Sequence, residues 1–371
     1  MKRYPLLFCA VALVLSSVAC GTSSGASTGT SAGDGAGAAT SGSAASTTTA
    51  ASIAQAHAKG EPLTFEPASV RAITSLTYND HQLAIGFSDG VVALSSKSGD
   101  VSQSTTTRVY PVAAVSPTGE FTLLGSNPPA VVNAKGDLIL QMNTVPDFES
   151  AAFGADGITL YVAARNGKIR IWGQPHSFEE DQHLEKLENY LNRQAPDFLV
   201  EFPPIRGPLH VTASGKVIAV DEEGNVRIWD PTAPSSSKRI MNVGAGARSI
   251  ASAGGAIIVT SQTGALKVGQ EDGAGYKAWS KDARGAFIKT THLNDDVFYV
   301  LDRGTLRAVA IETGEEQWST TIPDDHPCGL TVSPDSSQVV ACIGNYVAVF
   351  DAATGAPKTY GYRVDGDFHW K

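Results

Sequence analysis

Four glycines, Gly224, Gly264, Gly304 and Gly344, stand 40 residues apart. Each sits in a turn that leads into a short alternating segment: EEG-NVRIW, QTG-ALKV, DRG-TLRAVAI and IGN-YVAVF. The same phrase occurs upstream as RNG-KIRIW around Gly167 and SDG-VVAL around Gly90. The 77 residues from Gly90 to Gly167 fit two units, with the intervening turn near 126–130, before Val131. The 57 residues from Gly167 to Gly224 fit one unit plus an insertion. The count is seven. A period of this length marks units that cannot bury their own faces and must stack on their neighbours.

Residues 286–322 show the plan of one unit: AFIKT, a polar HLNDD turn, VFYVL, DRG, TLRAVAI, ETGE and EQWSTTI. These are four short strands with apolar residues often alternating, the pattern of half-buried antiparallel strands. A second glycine recurs in the third turn, at Gly99, Gly136, Gly314 and Gly355. Seven such units make about twenty-eight strands, far beyond an ordinary open sheet, so closure into a ring is expected. The predicted fold is all-β: a seven-bladed β-propeller of four-stranded antiparallel blades, with one helical insertion, over residues 61–371.

The VRIWD and IRIWG segments resemble the third strand of WD40-repeat blades, with Val226, Ile228, Ile169 and Ile171 facing the core between sheets and Trp229 and Trp172 closing the packing. AIETGEEQW (310–318), VFDAATGAPKTY (349–360) and LSSKSGDV (94–101) resemble the quinoprotein-like, or PQQ-like, repeat. The similarity covers roughly residues 62–365. The Gly-His dipeptide of well-formed WD40 blades is absent, so these are degenerate blades. PQQ-like similarity does not by itself imply quinone chemistry, and no cofactor is expected.

Ahead of the repeats, Lys2 and Arg3 precede an apolar run, Pro5 to Val18, too short to span a bilayer comfortably. Ser17-Val18-Ala19-Cys20 then resembles the bacterial lipoprotein signal, although Leu is usual where Ser17 stands. That resemblance implies a signal peptide over 1–19 and a lipid on Cys20; secretory cleavage after Ala19 fits the same small residues. Every residue from Gly21 to Ala50 except Asp34 is Gly, Ala, Ser or Thr. With no branched or aromatic surface to offset ordering entropy, residues 20–60 read as a disordered tether with a reach of about 35 Å. Residues 1–19 carry Lys2 and Arg3 and no acid, so without them 26 basic residues face 37 acidic ones, a net charge of −11. Such a balance argues against nucleic acid and against electrostatic docking on anionic lipid. The expected location is the cell envelope, with the chain exported and held to a bacterial membrane by its N-terminal lipid.

The insertion, about 173–197, contains SFEEDQHLEKLENYLNRQAP. Ser177 and Glu180 match a capping box, Asp181 adds charge near the helix start, and Pro196 ends it. His183, Leu184, Leu187, Tyr190 and Leu191 share one stripe, which packs on the propeller itself or on a partner.

No hydrolase elbow, P-loop or metalloprotease helix is present, so enzyme activity is not expected. His326 beside Asp324, Asp325 and Cys328, and His292 near Asn294 and Asp295, match no metal spacing and read as solvated turns. Cys328 and Cys342 flank the TVSPDSSQVV hairpin; pairing Ser333 with Gln338 puts them one residue out of register. A shift of one would make a cross-strand disulfide; two buried thiols are the alternative.

In a propeller the turns between second and third strands share one rim with the connections between blades. That rim is expected to carry Asp89, Asn166, Glu222, Glu223, Asp302, Asp324 and Asp325, a mostly acidic ring suited to a basic partner or a cation. The insertion leaves on the opposite rim. The leading expectation is therefore a membrane-tethered, non-catalytic scaffold that binds an envelope protein. A lipoprotein propeller of the outer-membrane β-barrel assembly machinery offers an analogy, with eight blades against the seven counted here. The alternatives are a lactonase-like or quinoprotein-like enzyme working at the central channel, and a carbohydrate or peptidoglycan binder.

Overall fold

Seven antiparallel sheets follow one another along the chain, each built from strands consecutive in sequence. The structure, a computed structural model, describes residues 72–173 and 198–370, apart from short interruptions such as 79–81, 97–99, 106–109, 280–286, 291–295 and 323–326. All of them fall in the compact unit Ala45–Lys371. The sheets are the seven blades expected from the period. Blade 1 runs from the strand Ile73–Tyr78 to Val101–Thr105, and blade 2 from Val112–Val115 to Leu138–Gln141. Blade 3 runs from Phe148–Phe153 to Phe198–Glu201, and blade 4 from His210–Val211 to Ala233–Asn242. Blade 5 covers Ala247–Ala253 to Tyr276–Trp279, and blade 6 covers Phe287–Thr290 to Glu316–Thr321. Blade 7 begins at Pro327–Val332 and has a fifth strand, Asp367–Trp370, beyond Pro357–Val364.

Hydrophobic burial explains the closure. Seven buried apolar clusters lie one between each pair of neighbouring blades, including blades 7 and 1, where Val340, Val347 and Val349 meet Leu83, Ile85 and Phe87. Second strands are buried on both faces, as in Val217–Val220, because each sheet is sandwiched between two others. The alternation expected for half-buried strands is thus replaced by near-continuous apolar runs in the inner half of each blade. Trp172 closes the blade 2–3 cluster, while Ile169 and Ile171 of the same strand point into the blade 3–4 cluster. Trp229 joins blades 3 and 4, and Val226 and Ile228 join blades 4 and 5. The twin sequences are therefore two copies of one inter-blade wedge.

The repeated glycine has a backbone reason at Gly224. Its φ is +80°, and a Cβ there would lie 2.7 Å from the carbonyl carbon of Gly244. Only glycine tolerates both the left-handed conformation and that approach. The expected helical insertion and tether lie outside the described residues.

Candidate functional site

The head of the first strand repeats one irregularity around the ring. The register of the first two strands slips between Ile73 and Ser75, Val112 and Ala114, Ala247 and Ser249, and Pro327 and Gly329. In blade 3 the partners step from Ser150 to Phe148. The extra residues are Thr74, Ala113, Glu149, Arg248 and Cys328. In blade 4 the same end is looser, with an isolated Ile205–Asp221 bridge ahead of the His210–Ile218 pairing. Bulges bend a strand and re-aim the inserted side chain. Here they lie on the rim where the turns between second and third strands emerge, at the mouth of the ring of first strands.

Two of these positions, Glu149 and Arg248, carry charge at the mouth. Glu149 accepts from Arg165 Nε at 3.0 Å and from the Gly207 N–H at 3.1 Å, so one carboxylate ties blade 3 to blade 4. Arg206 and Arg248 are both exposed on adjacent blades. Desolvation lowers the pKa of the Arg248 guanidinium although it reaches solvent, as expected of a cation in a recess. A little deeper, His210 Nε2 and Ser252 Oγ, on the first strands of blades 4 and 5, are hydrogen-bonded at 2.9 Å.

The cysteines belong to the same feature. Ser333 and Gln338 bracket the hairpin, Val332 pairs with Val339, and Gly329 pairs with Cys342. The bulge then sets Cys328 beside Gly329, so that both oppose Cys342. Cys328 and Cys342 stand joined as a disulfide, with Cα atoms 5.1 Å apart. The missing register shift is supplied by the bulge.

The rim residues singled out from sequence divide into two kinds. Glu222 and Glu223 are exposed on blade 4. Asp89 is half-buried and accepts from the Val91 N–H at 3.3 Å. Asn166 caps its own turn through the Lys168 N–H at 3.1 Å. Asp302 is buried and ion-paired with Arg307. Asp324, Asp325, His326, His292 and Cys20 lie outside the described residues. The neighbouring Asp221, not singled out from sequence, is the best-connected acid among the described residues of this rim. It accepts from the N–H groups of Glu223 and Asn225, from Asn225 Nδ2 at 3.0 Å and from Arg227 Nε at 3.4 Å. The spacing of Asp221 to Arg227 and Asp302 to Arg307, across the repeated turn, is the sequence signal that points to these pairs. Among the described residues no three His, Cys, Asp or Glu side chains assemble into a metal-ligand set.

Residues 213–371, from the first turn of blade 4 onward, match the family model described as outer membrane protein assembly factor BamB, a model of PQQ-type repeats. The chain is a seven-bladed propeller, and over those residues its blades are similar to PQQ-like repeats. Its fold is similar to that of the computationally designed Ika8 protein, with a TM-score of 0.60 and 14% identity, over 82% of this chain and 97% of that one. At that identity the likeness speaks for the fold alone. No curated protein matches the propeller's sequence significantly.

Proposed function

We propose that this PQQ-like-repeat propeller is a non-catalytic scaffold of the cell envelope, held to a bacterial membrane by a lipid on Cys20, that docks an envelope protein through its second-to-third-turn rim. The supporting observation is the family match, which covers three blades whole and most of a fourth and carries the description of an assembly factor. The mouth suits docking more than chemistry, because its acids are mostly engaged in holding turns. Glu149 bridges two blades, Asp302 neutralises Arg307 and Asp221 caps a turn. Glu222 and Glu223 are exposed on blade 4, Glu223 also accepting from Asn225 Nδ2 at 3.1 Å; Asp324 and Asp325, outside the described residues, are assigned to the same rim from the sequence alone.

The test uses the full chain expressed in a bacterium with an envelope. A photo-crosslinking residue at Glu222 is expected to capture one integral envelope protein, whereas one at Leu138, on an outer blade edge, is not. Joint neutralisation of Glu222, Glu223, Asp324 and Asp325 is expected to lower that capture several-fold, and replacing 176–197 by a short Gly/Ser loop to leave it unchanged. Cys20→Ala is expected to move the protein out of the membrane fraction. The opposite pattern for the two rim variants would place the docking face on the other rim. Retention of Cys20→Ala in the membrane would sink the lipid anchor.

A further inference from the structure

One arginine in the ring lacks the acid that its two arginine counterparts keep. In blade 4, Arg227 lies opposite Ala219, on the face of the third strand turned toward blade 3. It is paired with Asp221 at the end of the second strand, and its side chain is 27% exposed. In blade 6, Arg307 lies opposite Val300 and is paired with Asp302 in the same way. In blade 5 the equivalent cation is Lys267, which donates to the Asn242 carbonyl at 2.7 Å.

Blade 3 keeps the arginine without the acid. Arg170 lies opposite Val162, in the register of Arg227 and Ala219, but the residue in the place of Asp221 is Ala164. Ile169 and Ile171 point into the blade 3–4 core, so Arg170 and Trp172 share the face turned toward blade 2, where Ala164 also lies. Arg170 is only 9% exposed, against the larger exposure of Arg227, and its Nη1 has no hydrogen-bond partner among the described residues. Two positions along the same face, the fully buried Trp172 presents an indole N–H that is likewise without an acceptor among them. Desolvation lowers the Arg170 pKa. A buried cation with no counter-charge is strongly destabilising, and a guanidinium stays charged under all ordinary conditions.

The geometry points to an oxyanion site in the crevice between blades 2 and 3, where a phosphate or carboxylate group takes the place that the Asp221 carboxylate holds in blade 4. The Arg170 guanidinium supplies charge and hydrogen bonds, a planar fork suited to two oxygens of one anion. The Trp172 N–H supplies a neutral donor farther along the strand. The site lies beside the Trp172 wedge, toward the rim on which Asp221 lies in blade 4, and it does not depend on the docking proposal.

The test is thermal unfolding of the purified full chain in a zwitterionic buffer at constant ionic strength, titrated separately with inorganic phosphate and with acetate. The unfolding midpoint of the natural protein is expected to rise by several degrees and saturate with at least one of the two; which one acts identifies the anion class. Arg170→Met is expected to unfold no lower than the natural protein in anion-free buffer and to lose the response. Ala164→Asp, which restores the carboxylate of the twin blade, is expected to raise the anion-free midpoint and abolish the response. Trp172→Phe, which keeps the wedge and removes the donor, is expected to weaken apparent anion affinity several-fold. No saturable response in the natural protein, or an unchanged response in Arg170→Met, would overturn the site. Glu201 pairs in register with Lys168 on the adjoining strand. If Glu201→Gln destabilised the anion-free protein and Arg170→Met removed that effect, the counter-charge would come from within the chain and the proposal would fall.

Discussion

Phe368→Ala is expected to cost about 3–5 kcal/mol and to lower the unfolding midpoint by on the order of 10 °C. The reason is the way the ring shuts. Among the described residues every blade is made from consecutive strands, and no strand from one end of the chain completes a blade begun at the other. The seam between blades 7 and 1 is instead covered by the fifth strand, Asp367–Trp370, which pairs with the outer edge of blade 7 and reaches across. Phe368 is buried in the seam cluster with its ring 6.4 Å from that of Phe87, and Trp370 stands edge-on to it at 5.1 Å. Trp370 Nε1 donates to Ser95 Oγ at 2.7 Å, and Gln103 Nε2 donates to Asp367 Oδ1 at 3.0 Å, both partners being on blade 1. Truncating Phe368 leaves a cavity against Phe87 and loosens the strand that carries the two hydrogen bonds. A single transition at lower temperature, followed by circular dichroism, is the expected record. A midpoint within about 2 °C of the natural protein would mean that the apolar cluster closes the seam without the latch.

That latch was not legible in the sequence, and the reason is instructive. The strand DFHW is four residues long, lies beyond the last repeat and has no counterpart in other blades, so neither period nor alternation marks it. The blades themselves were legible because turns are punctuated by residues with a backbone reason to be there, as at Gly224. The unmarked turn near 126–130 was still placed by the period, and the strand Ala130–Asn133 follows it. The bulges were invisible for the opposite cause. Thr74, Ala113, Glu149, Arg248 and Cys328 share a position and no chemistry, because what selects them is the bend that the inner strand makes at the mouth. Only the cysteines gave a hint, since a regular ladder left them one residue apart. The engagement of Asp302 was also hidden, because an acid after a strand reads as a solvated turn until its arginine is seen across the hairpin.

Gly355→Val is expected to destabilise the propeller by about 3–5 kcal/mol through two separable effects. Gly355 has φ +72°, a conformation costing roughly 1–2 kcal/mol for an L-residue and most for a β-branched one. A Cβ there would also collide with the Trp318 ring of blade 6 and lie 2.7 Å from Thr320 Oγ1. These contacts form a lock between blades 6 and 7. Trp318 Nε1 donates to the Ala352 carbonyl at 3.0 Å, Tyr299 OH donates to the same carbonyl at 3.2 Å, and Thr320 Oγ1 donates to the Gly355 carbonyl at 2.7 Å. The accepting turn is rigid in its own right. Asp351 Oδ1 accepts from the N–H groups of Ala353 and Thr354, and the Lys358 ammonium, with the Thr354 hydroxyl, holds its carboxyl down to about 2. The turn therefore cannot swing aside to admit a side chain, and Trp318 has to leave its bed. A double-mutant cycle isolates the ring collision, because Trp318→Ala removes it and leaves the backbone strain and the Thr320 Oγ1 contact. Gly355→Ala is expected to cost about 1–2 kcal/mol less in the Trp318→Ala background than in the natural protein, measured by urea unfolding. Equal costs in the two backgrounds would assign none of the effect to the Trp318 ring.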